Sequence, residues 1–152
     1  MTRGNARELA VHLIYAREFT GDEPEMVIAT RLKKEYYDRL SGENPVYEDH
    51  PSRAQRAYID SVVVGVANRI EQLNEIISKY SIDWDVSRIS RLTRTVLQLA
   101  IFEIQYVEDV PTGVAISEAV RIVKLYDTEE AGAFVNGILG SYARSLSTEV
   151  EA

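Results

Sequence analysis

Apolar residues recur along this chain in steps of three and four, the spacing of one face of an α-helix. No run alternates apolar and polar residues for long enough to make a strand. The pattern predicts an all-α protein of about six to seven helices. A first helix runs from about Asn5 to Phe19, with Ala6, Leu9, Ala10, Leu13 and Ile14 inward. Asn5 and Glu8 stand at capping-box spacing at its start, and Gly21-Asp22-Glu23-Pro24 ends it. A charged, peripheral helix follows over Glu25 to Leu40, carrying Val27, Ile28, Leu32 and Tyr36. Ser41 to Pro51, with two prolines, is the longest loop.

The clearest stripe is Ile59, Val62, Val66, Ile70, Leu73, Ile77 and Tyr80. It predicts one helix from about Arg53 to Tyr80, ~40 Å long at 1.5 Å per residue. Ser81 to Val86 is a link holding the single tryptophan, Trp84. The next helix, Ser87 to Val107, is apolar almost all round beyond Val96, as a central buried helix is. Asp109-Val110-Pro111 stops it, because proline disfavours helix at the residue before it. A helix over Thr112 to Tyr126 turns Ala115, Ala119, Ile122, Val123 and Tyr126 inward. The last starts near Asp127, where Glu130 fits a capping box, and buries Val135, Ile138, Leu139, Tyr142 and Leu146. Its tail, Ser147 to Ala152, is polar and expected to fray. The expected architecture is two antiparallel helical bundles packed together as one domain. They cover about 5–80 and 87–146, with the boundary near Tyr80 to Val86.

Composition narrows the chemistry. Among the 152 residues there is no cysteine, which excludes disulfides, thiol catalysis and cysteine-ligated zinc. The two histidines, His12 and His50, lack metal-ligand spacing, so no metal site is expected. No apolar run reaches membrane-spanning length and no signal peptide opens the chain, so a cytoplasmic protein is expected. No phosphate loop or nucleophile elbow occurs, and neither an enzyme nor a cofactor is predicted. Gly137 and Gly140 inside the last helix serve close packing or approach by a ligand. Glu103, within an apolar stretch, must be paired if buried.

A formal charge of −7 argues against indiscriminate coating of nucleic acid. The charge is uneven, however. Residues 1–20 are net +1 and residues 86–107 net +2, while 21–50 carry −4 and 108–152 carry −5. Arg88, Arg91, Thr95 and Gln98 fall within ~80° of one another on a helix and predict a solvated polar face. Tyr15, Phe19 and Phe134 lie off their helices' apolar stripes. Each is either a core-edge aromatic or an exposed ring on which an unpaired base stacks.

Three blocks then resemble one family. Ala6-Arg7-Glu8-Leu9-Ala10-Val11 with Leu13-Ile14-Tyr15 resembles the opening helix of the NusB transcription antitermination family. Val96-Leu97-Gln98-Leu99-Ala100-Ile101-Phe102-Glu103, then Val110-Pro111 and Ala115-Ile116-Ser117-Glu118-Ala119-Val120, is similar to its middle. Phe134-Val135-Asn136-Gly137-Ile138-Leu139-Gly140 is the strongest match. The resemblance implies a non-enzymatic helical fold that binds the boxA segment of ribosomal RNA leader transcripts. It implies NusE, a small-subunit ribosomal protein, as co-binder, the RNA polymerase antitermination complex as destination, and in some members a homodimer covering the RNA surface.

Carried over by position, the resemblance implies phosphate contacts for Arg3 and Arg7. It places Phe134 and Glu130 at the RNA surface, Tyr15 on the RNA and NusE side, and Thr93 at a NusE-contacting position. Asn136 matches the family's Phe-Val-Asn-Gly motif. Gly4, Asn5 and Gln98 stand where family members commonly carry arginines, and Thr93 where some carry an acid. Fewer phosphate contacts predict weaker RNA binding by the chain alone and a shallower salt dependence. Two further readings remain. One is a helical protein-interaction or homodimerisation module with little RNA binding of its own. The other is the similar helical domain joined to ribosomal RNA cytosine methyltransferases, for which no room is expected before Ala152.

Overall fold

The computed structural model describes residues 1–81 and 89–151, with side chains through Ser147. Trp84, Arg88 and the start of the helix expected from Ser87 lie outside the described residues. Among those described there are eight α-helices, one 3-10 turn and no strand, so the all-α class holds and the helix number exceeds six to seven. The chain forms two compact units, Met1–Asn68 and Arg69–Ala152.

In the first unit α1 (Arg3–Thr20) packs on α4 (Arg53–Ala67) and on α2 (Pro24–Arg31), and α2 also packs on α4. The α1 stripe Ala6, Leu9, Ala10, Leu13 and Ile14 is buried, as its spacing predicts, against a set that includes Ile59, Val62 and Val66. The cap is Thr2, not Asn5: its side chain accepts from the Asn5 amide at 3.0 Å, and the helix starts two residues earlier than expected. Gly21 closes α1 at φ 69°, where a side chain is disfavoured, and donates its amide to the Arg17 carbonyl.

The single helix expected over Glu25 to Leu40 is two, α2 and α3 (Lys34–Leu40). Lys33 between them is extended, at φ −63° and ψ 131°. The turn lets Val27 and Ile28 bury from α2 and Tyr37 from α3. The Tyr37 hydroxyl donates to the carbonyls of Val46 and Asp49, pinning the 3-10 turn Pro45–Tyr47 inside the expected loop. Ser52 and Gln55 form the capping box that starts α4.

The long helix expected over Arg53 to Tyr80 is likewise two, α4 and α5 (Ile70–Tyr80), broken at Asn68 and Arg69, where φ reaches −128°. The apolar stripe crosses this break in step, so its periodicity carries no sign of it. The compact units therefore part after Asn68 rather than near Tyr80 to Val86, and α5 packs on α6 (Arg91–Tyr106) and α8 (Glu129–Glu151). In that second unit α7 (Thr112–Tyr126) packs on both α6 and α8.

Val96 to Phe102 is buried throughout, as a central helix requires. Thr95 and Gln98 are buried as well, correcting the solvated polar face, although Arg91 is exposed. Gln98 donates its amide to the Asn74 side chain at 2.9 Å, and Thr95 donates back to the Arg91 carbonyl. Tyr126, expected inward, is exposed at the end of α7. Thr128, rather than Asp127, caps α8: its hydroxyl accepts from the Ala131 amide.

Candidate nucleic-acid interface

The start of α1 is an unfavourable place for two arginines. It is the positive end of the helix dipole, Arg3 and Arg7 are like charges at i,i+4, and the first turn holds no acid. One contact that offsets this is with Tyr58, presented from α4 and itself buried. The Arg3 guanidinium lies 4.3 Å from the ring centroid and that of Arg7 5.9 Å, both within cation–π range. The two are not equivalent. Arg3 is exposed, whereas Arg7 is only 4% exposed and belongs to the packed layer.

Tyr15 lies further along α1, half-buried and edge-on to Phe19, with centroids 4.9 Å apart and an interplanar angle of 69°. Phe19 is 59% exposed. Both border a cleft of about 330 Å³ that also involves His12, Arg31 and Tyr47. His12 stacks on Tyr47, and its Nδ1 is 2.9 Å from the Tyr47 hydroxyl. Burial holds the His12 imidazole below its ordinary pKa, against the opposite pull of Glu8. Burial also pushes the Tyr47 phenol up to about 12, so both rings are neutral near pH 7. Arg31 is turned onto Tyr36, whose hydroxyl it contacts. Sequence spacing singled out Tyr15 and Phe19 but not His12, Arg31 and Tyr47, which only folding brings beside them.

In the second unit the residues singled out from the sequence are differently placed. Phe134 is 4% exposed, so it is a core aromatic and not a ring open for stacking. Thr93 is buried too: its hydroxyl donates to the Asp127 carboxylate at 2.7 Å, so it presents no surface for direct contact with a partner. The Ser90 hydroxyl donates to the same Asp127 oxygen, and the Thr128 amide to the other. These bonds, that from Ser90 foremost, hold the Asp127 carboxyl below its ordinary pKa. Glu130 is exposed in the first turn of α8, where a carboxylate suits the helix dipole, and Asn136 is exposed one face away. Glu103 is fully buried. Arg3, Arg7 and Tyr15 thus belong to one unit, and Thr93, Glu130 and Phe134 to the other.

Among the described residues no group of His, Asp and Glu is arranged to hold a metal ion, and no helix is long and apolar enough to cross a membrane. By class this is an all-helical protein whose distinctive surface features are arginines paired with aromatic rings. The chain belongs to the NusB family, whose family model matches residues 4–144. It is 40% identical over 144 residues to the transcription antitermination protein NusB of Acetivibrio thermocellus, covering 95% of this chain and 90% of that one. It is 36% identical to the protein of the same name from Sorangium cellulosum, covering 95% and 93%. Among solved structures, T. maritima NusB matches with a TM-score of 0.76 at 27% identity, over 95% of this chain and 92% of that one. A crystal structure of antitermination factors NusB and NusE in complex with dsRNA shares the fold, with a TM-score of 0.72 at 23% identity over 94% and 96%.

Proposed function

We propose that this chain is a non-enzymatic, cytoplasmic transcription antitermination factor. It binds single-stranded boxA-like RNA together with NusE and takes part in the RNA polymerase antitermination complex. The observation that carries the reading is the exposed Arg3 guanidinium held on Tyr58 at the start of α1, in a chain of this family. Curated relatives bear the antitermination name, and a structural neighbour holds NusB, NusE and RNA together.

Arg3 supplies the phosphate contact. Arg7, nearly buried, acts chiefly as the layer beneath it. Tyr15 offers a partly exposed ring on the RNA and NusE side, and Glu130, in the second unit, offers an exposed acid at the edge of the RNA surface. Phe134 and Thr93 pack within the second unit, and neither is exposed enough to touch RNA or NusE directly.

With one exposed arginine at this helix start, affinity for RNA alone is low and NusE supplies much of the rest. The test is a titration of boxA-like RNA against salt, with and without NusE. Weak binding alone, a shallow salt slope and a large gain with NusE are expected. Tight binding by the chain alone with a steep slope overturns the dependence on NusE.

The burial of Arg7 and Phe134 favours a second reading, a protein-interaction or homodimerisation module with little RNA binding of its own. Arg3→Glu separates the two. RNA binding collapses under the first reading and is unchanged under the second, with the fold intact in both because Arg3 is exposed. Light scattering on the same sample reports a homodimer.

A further inference from the structure

Tyr58 is the group on which both N-terminal arginines converge. We propose that Tyr58 is a positioning residue for RNA binding: its ring holds the Arg3 guanidinium, backed by Arg7, in the orientation that receives a phosphate. This rests on the reading that Arg3 meets RNA.

A guanidinium is flat, with its N–H donors directed outward in its plane. The Arg3 guanidinium carbon lies over the Tyr58 ring, 4.3 Å from its centroid, and its N–H donors lie along the edge of the group. Phosphate needs that edge, because its oxygens pair with two parallel N–H groups.

The ring also answers the two forces that would push Arg3 away, the dipole of α1 and the charge of Arg7. Tyr58 is 8% exposed and carried on α4, so the platform is rigid. An arginine already held in place loses less freedom when a phosphate binds. A lysine at position 3 would keep the charge and lose the flat face.

The test measures binding of a single-stranded boxA-like RNA oligonucleotide by fluorescence anisotropy across a salt series. The full chain is compared with Arg3→Lys, Arg3→Gln, Tyr58→Phe and Tyr58→Leu. Arg3→Lys and Tyr58→Leu are each expected to raise Kd roughly 3- to 10-fold with the salt slope unchanged. Arg3→Gln is expected to weaken binding and to lower the slope by ~0.7, one phosphate contact to a single strand. Tyr58→Phe, which keeps the ring, stays within about twofold. In the Arg3→Gln background Tyr58→Leu adds nothing, an outcome that a merely structural role would not produce.

Should Tyr58→Leu fail to fold, Arg3→Lys and Tyr58→Phe decide the matter, since one is a surface change and the other preserves the ring. Arg3→Lys binding as the parent does, or Tyr58→Leu weakening binding equally in both backgrounds, overturns the positioning role alone. Arg3→Gln binding RNA as the parent does overturns the RNA reading itself and the positioning role with it. In that case an upfield ring-current shift of the Arg3 side-chain protons still reports the stacking by NMR.

Discussion

The hydroxyl of Thr93 donates to the carboxylate of Asp127 at 2.7 Å, tying the first turn of α6 to the residue that ends α7 and precedes α8. Ser90, which caps α6, donates to the same oxygen at 2.7 Å. One carboxylate thus gathers three helix ends.

This bond makes the second unit acid-sensitive. Hydrogen bonds from Ser90 and Thr93 hold the folded Asp127 carboxyl below its ordinary pKa, while the unfolded chain titrates at the ordinary one. The stabilisation is therefore complete above the unfolded value of about 4 and is lost as pH falls through the depressed folded value. Thr93→Val is expected to cost about 1–2 kcal/mol at pH 7, as loss of a partly buried bond to a charged acceptor does. Asp127→Asn is expected to flatten the acid limb. Urea unfolding at pH 7 and across pH 5 to 2 measures both.

His12 titrates in the same sense, at higher pH. Burial lowers its folded pKa below the ordinary value of about 6.5, so between the two values the unfolded state binds the extra proton. Stability is complete above about pH 6.5 and declines as pH falls toward the folded pKa. Protonation also makes Nδ1 a donor toward the Tyr47 hydroxyl, which it meets at 2.9 Å, whichever tautomer the neutral ring holds. His12→Gln is expected to shrink the loss of stability between pH 7 and 5. Denaturant unfolding at those two pH values checks it, and an unchanged slope would place the titration elsewhere.

Phe134 separates packing from stacking. At 4% exposure it belongs to the core, so Phe134→Leu is expected to leave RNA affinity within about twofold. Phe134→Ala is expected to destabilise the fold by roughly 3–5 kcal/mol through the cavity it leaves. Were the ring a base platform, Phe134→Leu would instead cost ~1–3 kcal/mol of RNA binding. Thermal unfolding alongside an RNA titration distinguishes the two outcomes.

Much of the fold was legible in the order of residues, because helix periodicity is a local property. The stripes Ala6–Ile14, Val96–Phe102 and Val135–Tyr142 bury where their spacing puts them. The Phe-Val-Asn-Gly block and the α1 and α6–α7 segments were enough to point to the family that the family model then matched. The helix breaks at Lys33 and at Asn68–Arg69 were not legible: the apolar spacing runs on in the sequence past Asn68–Arg69, and at Lys33 the turn buries Tyr37 where the spacing favours Tyr36. Caps escaped for a related reason. Thr2 and Asn5 are both good cap residues, and only the backbone turn at Thr2 selects between them.

The candidate site shows the same division. The sequence alone determined an all-helical chain with arginines concentrated at the first helix and near the middle, because composition and period are carried residue by residue. Only the tertiary structure decided which of those groups face water. Arg7 goes under while Arg3 stays out, Phe134 and Thr93 join the core, and Tyr58, unremarkable in its own segment, becomes the surface on which the two arginines meet. Burial depends on what a neighbouring helix places against a residue, and Tyr58 of α4 meets Arg3 and Arg7 of α1 from more than fifty residues away along the chain.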